Sequence, residues 1–145
     1  MGVERTASAE WRGDLMSGSG TVSTESGSVH EATVKWSSRA DAADENTSPE
    51  ELIAAAHATC VSMALAHALA QEGTPAKTLQ AEAKATFDKV GDGFRMTTMN
   101  ISIRGEVDGL DEDGFRQAAE QAKENCPVSQ ALKGNVDVSV DAALS

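Results

Sequence analysis

The chain has no tyrosine, three phenylalanines and two tryptophans, so aromatics make up only 3% of its 145 residues. A core without large rings must be filled by alanine and small aliphatics, and 40% apolar content fills one copy thinly. Two chains sharing one core would relieve that shortage, so an obligate dimer is expected on these grounds alone. Basic residues are scarce as well: twelve Lys and Arg stand against 23 Asp and Glu, for a formal charge of −11. Phosphate recognition needs clustered cations, so nucleic acid is excluded as a partner, and the acidic surface serves solubility.

Cysteine is limited to Cys60 and Cys126, 66 positions apart. The start, MGVERTASAEW, lacks the apolar stretch of a secretory signal, so a cytoplasmic protein is expected. In that setting a permanent structural disulfide is disfavoured and paired redox chemistry gains weight, with two buried small hydrophobes as the plain alternative. Long uncharged runs are also few. Leu52 to Ala70, 19 residues, is long enough to span a bilayer. Eight of those residues are alanine, and the run carries His57, Thr59, Ser62 and His67. Glu50, Glu51 and Glu72 flank it where a membrane span would show basic anchors, so it reads as a buried core helix, with no membrane implied.

No internal repeat or linker divides the chain, which reads as a single domain over residues 1–145. Alternation at Ala7, Ala9 and Trp11, turn formers through Ser28, and alternation at Val34 and Trp36 predict a three-stranded meander. Arg39 then ends the third strand. Ser48-Pro49-Glu50-Glu51 is a helix start with serine at the cap, proline at the first helical position and a glutamate completing a capping box. That helix should run to about Glu72 and stop at Gly73. Leu79 to Phe87 and Met99 to Ile103 alternate around Val90-Gly91-Asp92-Gly93, which predicts a hairpin with one buried face. Asp111 caps a second helix whose inward stripe is Phe115, Ala118, Ala119 and Ala122, continued by Cys126. Pro127 begins a short extra turn through Leu132, and Val136, Val138 and Val140 form a last strand. The order β-β-β-α-β-β-α-β, with a fully apolar first helix as its centre, implies the α+β class.

Cys60 lies in the interior of the long helix, beyond the reach of the N-terminal field, so a thiolate there needs a cation from elsewhere. Arg39 is the nearest candidate, because its loop feeds into the cap of the same helix, and a guanidinium can hold a sulfur and a carboxylate together. Glu50 can orient that arginine, or can simply be a first-turn glutamate favoured by the helix dipole. Ten helical residues separate the levels of Glu50 and Cys60 by roughly 15 Å. If both serve one site, antiparallel central helices would bring Glu50 of one subunit to Cys60 of the other. Cys126, ahead of Pro127, is placed at the N-cap of a final turn, where backbone N–H groups stabilise a thiolate and where a residue can be mobile. His57 with Cys60 and Cys126 offers three ligands for zinc or iron, although a histidine on an alanine-rich helix is more often a core residue. His67 reads as core or interface and His30 as surface loop. Paired redox chemistry, a metal-binding module and a redox-inactive dimeric scaffold therefore all stay open on the residues alone.

The segments TVSTESG (Thr21–Gly27), NTSPEELIAAAHATC (Asn46–Cys60), SMAL (Ser62–Leu65), DKV with GF (Asp88–Val90, Gly93–Phe94) and CPVSQALK (Cys126–Lys133) resemble the OsmC/Ohr family. This family comprises the osmotically inducible protein C and organic hydroperoxide resistance proteins, and the likeness, to its OsmC branch, spans essentially the whole chain. The resemblance implies an intertwined α+β homodimer with active sites at the subunit interface. It also implies a stress-defence thiol peroxidase for organic hydroperoxides and, less well, hydrogen peroxide. By motif it makes Cys60 the reactive cysteine, Cys126 the resolving one and Glu50 the glutamate. Arg39 is placed as in the OsmC branch, whereas the Ohr branch takes its arginine from nearer the N-terminus, where this chain has Arg12. The implied cycle runs through a Cys60 sulfenic acid and a Cys60–Cys126 disulfide, reduced by an external dithiol such as a lipoylated protein. No cofactor or metal is implied.

Overall fold

Turn chemistry closes the first sheet as the sequence predicts. In the computed structural model, which describes all 145 residues, β1 (Ala7–Arg12), β2 (Ser19–Thr24) and β3 (Ala32–Val34) form an antiparallel meander in that order. Between β1 and β2 the Asp14 carboxylate accepts the Ser17 N–H at 2.8 Å and the Ser17 hydroxyl at 2.7 Å. Gly13 turns the chain with φ +91°, a conformation that glycine adopts without steric cost.

The third strand is shorter than its alternation suggests, and Arg39 is not at its end. Val34 pairs with Gly20, one residue from the start of β2, so an extended chain beyond Lys35 would run off its partner strand. Residues Trp36–Ala40 instead form a short helix, α1, which carries Arg39. The Val34–Trp36 alternation therefore spans a strand end and a helix start. Thr47 returns beside β3, donating its N–H to the Thr33 carbonyl at 3.1 Å.

Helix α2 (Pro49–Gln71) begins and ends close to where the sequence signals place it. The Ser48 hydroxyl accepts the Glu51 N–H at 3.1 Å. The Glu51 carboxylate accepts the Thr47 hydroxyl at 3.0 Å, so the return half of the capping box goes to a different partner. At the C-terminus, Gly73 (φ +83°) donates to the Ala70 carbonyl and Thr74 to that of Leu69. That pair of bonds is a Schellman closure.

The chain resolves into two compact units, Met1–Leu52 and Ile53–Ser145. The second holds the rest of α2, the strands β4 (Ala76–Val90), β5 (Gly93–Val107) and β6 (Asp137–Leu144), and the helices α3 (Glu112–Asn125) and α4 (Pro127–Leu132). β4 and β5 form the predicted hairpin, with Val90 opposite Gly93 across Gly91-Asp92 and Gly91 at φ +62°. β6 pairs parallel to β5, because α3 and α4 carry the chain back to the starting end of that strand. Asp111 caps α3 by accepting the Gly114 N–H at 2.7 Å.

The core of this unit joins Val61, Leu65 and Leu69 of α2 to Met99, Ile101 and Ile103 of β5 and to Phe115, Ala119 and Ala122 of α3. Gly105 is required here: a Cβ at that position would stand 2.6 Å from Phe115 Cζ. Helix α2 is buried along one stripe, His57, Val61, Leu65 and Leu69. Only 22% of its apolar window is covered within one chain, and by length and composition alone it is able to cross a membrane. Ala56, Thr59, Met63, Ala66 and Ala70 are exposed on the other side, as is His67.

Candidate active site

The fold brings the two cysteines together. Cys60, in mid-α2, is partly buried and Cys126 fully so, and both are free thiols. Cys126 ends α3 and caps α4, its N–H donating to the Ala122 carbonyl at 2.9 Å and its own carbonyl accepting the Gln130 N–H at 3.0 Å. Both of its backbone groups are therefore hydrogen-bonded at the junction of the two helices. Its side chain makes no cap hydrogen bond. The helix-start amide that reaches a sulfur is the N–H of Val128, and the sulfur it reaches is that of Cys60.

Burial pushes the Cys60 thiol above its ordinary pKa, and the neighbouring Cys126 thiol pushes the same way. The Val128 N–H pulls the value down, but no basic side chain contributes. Left to these neighbours Cys60 is a thiol, and activation requires a cation that they do not supply.

The first unit holds a candidate for that cation. Arg39 Nε donates to both carboxylate oxygens of Glu50, at 2.8 and 3.1 Å. Glu50, in the first turn of α2, is 8% exposed, so it is more than a dipole-favoured surface glutamate. A carboxylate buried to that degree is retained only with a charged partner, and the pair fixes the guanidinium in one orientation.

His57, one turn before Cys60, is fully buried, and its Nε2 lies 2.7 Å from the Ser129 hydroxyl on α4. Burial lowers its pKa, so the ring is neutral. Ser129 lay within the CPVS motif, yet sequence reasoning gave it no role, since nothing in a serine's spacing reveals a histidine 72 positions away. No cluster of three or more His, Cys, Asp or Glu side chains is arranged to hold a metal, which leaves the three-ligand reading of His57, Cys60 and Cys126 unsupported. His30 lies on the surface, 3.3 Å from the Glu31 carboxylate.

The site of this α+β chain is therefore a pair of neighbouring free thiols, one on its longest helix and one at a helix junction. The sequence profile of the OsmC-like protein family matches residues 42–141. The chain is 38% identical over 136 residues to Peroxiredoxin OsmC of Escherichia coli (strain K12), covering 94% of each. It is 28% identical over 96 residues to Organic hydroperoxide resistance protein OhrB of Bacillus subtilis (strain 168), covering 66% of this chain and 68% of the relative. The crystal structure of OhrB matches with a TM-score of 0.73 at 24% identity, over 94% of this chain and 97% of the other. An organic hydroperoxide resistance protein from Elizabethkingia anophelis matches over the full length of both at 0.77 and 22% identity. This chain belongs to the OsmC-like family, on its OsmC side.

Proposed function

We propose that this protein is a cysteine-based peroxidase that reduces organic hydroperoxides, and hydrogen peroxide less well, through a Cys60–Cys126 cycle. The observation that carries the reading is the closeness of the two free thiols, with Cys126 near enough to raise the Cys60 pKa, in a chain whose relatives are named peroxiredoxin and hydroperoxide resistance proteins. The Cys60 thiolate attacks the outer peroxide oxygen; the O–O bond breaks, the alkoxide takes a proton and leaves as alcohol, and Cys60 becomes a sulfenic acid. The Cys126 thiol then displaces water to give the Cys60–Cys126 disulfide. An external dithiol, such as a lipoylated protein, restores both thiols and is itself oxidised to a disulfide.

The cation that Cys60 needs is Arg39, oriented by Glu50, and a homodimer provides it. Antiparallel α2 helices bring the Arg39–Glu50 pair of one subunit to Cys60 of the other, and the uncovered side of α2 is the face a second copy covers. In that arrangement residues 1–145 act as one domain, completed by its partner. The guanidinium stabilises the attacking thiolate and then the charge on the departing oxygen. The acidic surface of such a dimer suits a cytoplasmic enzyme.

Mass spectrometry of the reduced protein after one equivalent of cumene hydroperoxide tests the cycle. Wild type is expected to lose two hydrogens as the Cys60–Cys126 disulfide, and Cys126→Ser to gain one oxygen at Cys60. If neither changes mass, the peroxidase reading fails.

A further inference from the structure

The hydrogen bond between His57 and Ser129 stands apart from the thiol chemistry, yet it is an expensive feature. Both side chains lie in the core, His57 fully buried and Ser129 8% exposed, and His57 Nδ1 has no hydrogen-bond partner at all. A half-satisfied polar pair costs more than an apolar pair of the same volume, because each desolvated group without a partner loses the bond it made to water. Stability alone does not account for it.

Its location does. His57 is one helical turn before Cys60 on α2, and Ser129 lies three residues after Cys126, in the first turn of α4. The Val128 N–H, between Ser129 and Cys126 in sequence, is the amide that reaches the Cys60 sulfur. One hydrogen bond therefore joins this turn of α2 to the first turn of α4, His57 to Ser129, beside the two thiols. Oxidation of Cys60 changes the sulfur's own surroundings but leaves that bond in place. Apolar packing resists separation of two helices but does little to stop one sliding or rotating on the other, whereas a 2.7 Å hydrogen bond fixes both.

We infer that His57 and Ser129 are a positioning pair for the resolving step, holding α4 in register on α2 so that Cys126 stays in line with the Cys60 sulfenic acid. The inference rests on the peroxidase reading above. The step served is condensation of the Cys126 thiol with the sulfenic acid, in which an S–S bond forms, the S–O bond breaks and water leaves. His57 is fully buried and Ser129 nearly so, which keeps both from meeting the peroxide in the first step. Burial lowers the His57 pKa, so the contact is one between neutral groups at neutral pH.

The test separates the two steps in Ser129→Ala, His57→Phe and His57→Gln by rapid quench and mass spectrometry with cumene hydroperoxide. Glutamine keeps an amide nitrogen near the position of Nε2. Sulfenic acid formation should stay within about twofold of wild type in all three, since the attacking sulfur is unchanged. Disulfide formation should slow by about tenfold or more in Ser129→Ala and His57→Phe, with sulfinic acid accumulating at Cys60 under excess peroxide, and recover in His57→Gln. If Ser129→Ala and His57→Phe resolve at the wild-type rate, or if both steps fall in parallel, the positioning role is overturned. Should His57→Phe not fold, Ser129→Ala decides alone, because it removes one oxygen. A wild type that neither gains oxygen nor loses hydrogens overturns the peroxidase reading itself, so the two failures are distinguishable.

Discussion

Arg39 and Glu50 meet side-on, the guanidinium Nε spanning both carboxylate oxygens at 2.8 and 3.1 Å, with the glutamate nearly buried and the arginine side chain 37% exposed. The pair fixes the arginine's direction, and it also keeps the nearly buried Glu50 carboxylate from standing unpaired. Arg39→Ala is therefore expected to lower the second-order rate of Cys60 oxidation by about 10²-fold or more, and also to lower the melting temperature, because it leaves the Glu50 carboxylate buried without its partner. Glu50→Gln, which leaves the cation but loosens it, should cost about tenfold. Stopped-flow measurement with cumene hydroperoxide checks both; an unchanged rate in Arg39→Ala would remove it from the site.

The thiol titration has a definite sign. Burial and the nearby Cys126 thiol hold the Cys60 pKa above the ordinary thiol value, so a neighbouring cation must reverse that shift for the enzyme to work at neutral pH. In Arg39→Ala the iodoacetamide reaction of Cys60 should keep rising with pH beyond the ordinary thiol range, while wild type levels off at lower pH. The stability linkage runs the same way for Arg39→Ala. A raised folded pKa favours the protonated thiol, so its contribution is intact below the ordinary thiol value and is lost as pH rises through the folded one. Identical profiles in the two proteins would mean that Arg39 does not sense this sulfur.

Much of this architecture was legible in the sequence because it rests on local rules. Ser48 and Pro49 start α2, Gly73 ends it, Asp111 caps α3, and Gly91-Asp92 closes the hairpin, each by chemistry confined to a few residues. Arg39 was misplaced because the end of β3 depends on where β2 begins, a register that residues 32–40 do not encode. Ser129 went unassigned because its partner lies on α2, and contacts at long sequence separation leave no periodic trace. Cys60 and Cys126 were named from their motifs; their contact required the helix α3–α4 junction to be built.

Met63, 67% exposed in the middle of α2, tests the proposed homodimer. If a second copy covers this face, Met63→Glu places there a carboxylate that cannot be buried unpaired. Sedimentation velocity should show a monomer with unchanged far-ultraviolet circular dichroism and at least about tenfold lower peroxidase activity. A dimeric, fully active variant would move the interface elsewhere.

His57 predicts an acid transition. Burial depresses its pKa, so the unfolded chain binds a proton that the folded chain refuses. The corresponding stability is present above the unfolded value of about 6.5 and is lost as pH falls through it toward the folded value. Urea unfolding at a series of pH values should show this slope in wild type and a shallower one in His57→Gln.

Gly105 offers a test of the core that does not involve the thiols. A methyl group there would press on the buried Phe115 ring, at 2.6 and 2.9 Å from two of its carbons. Gly105→Ala is expected to destabilise the protein by about 1–3 kcal/mol in chemical denaturation, through overpacking.

Cys126 belongs to two helices at once, its amide closing one and its carbonyl opening the other. That double anchorage removes chain diffusion from sulfur-to-sulfur bonding: the side chain has one torsion to turn, and no segment must unwind to deliver it. Disulfide closure should consequently be indifferent to solvent viscosity, with glycerol or sucrose leaving its rate unchanged, as befits a reaction limited by bond making.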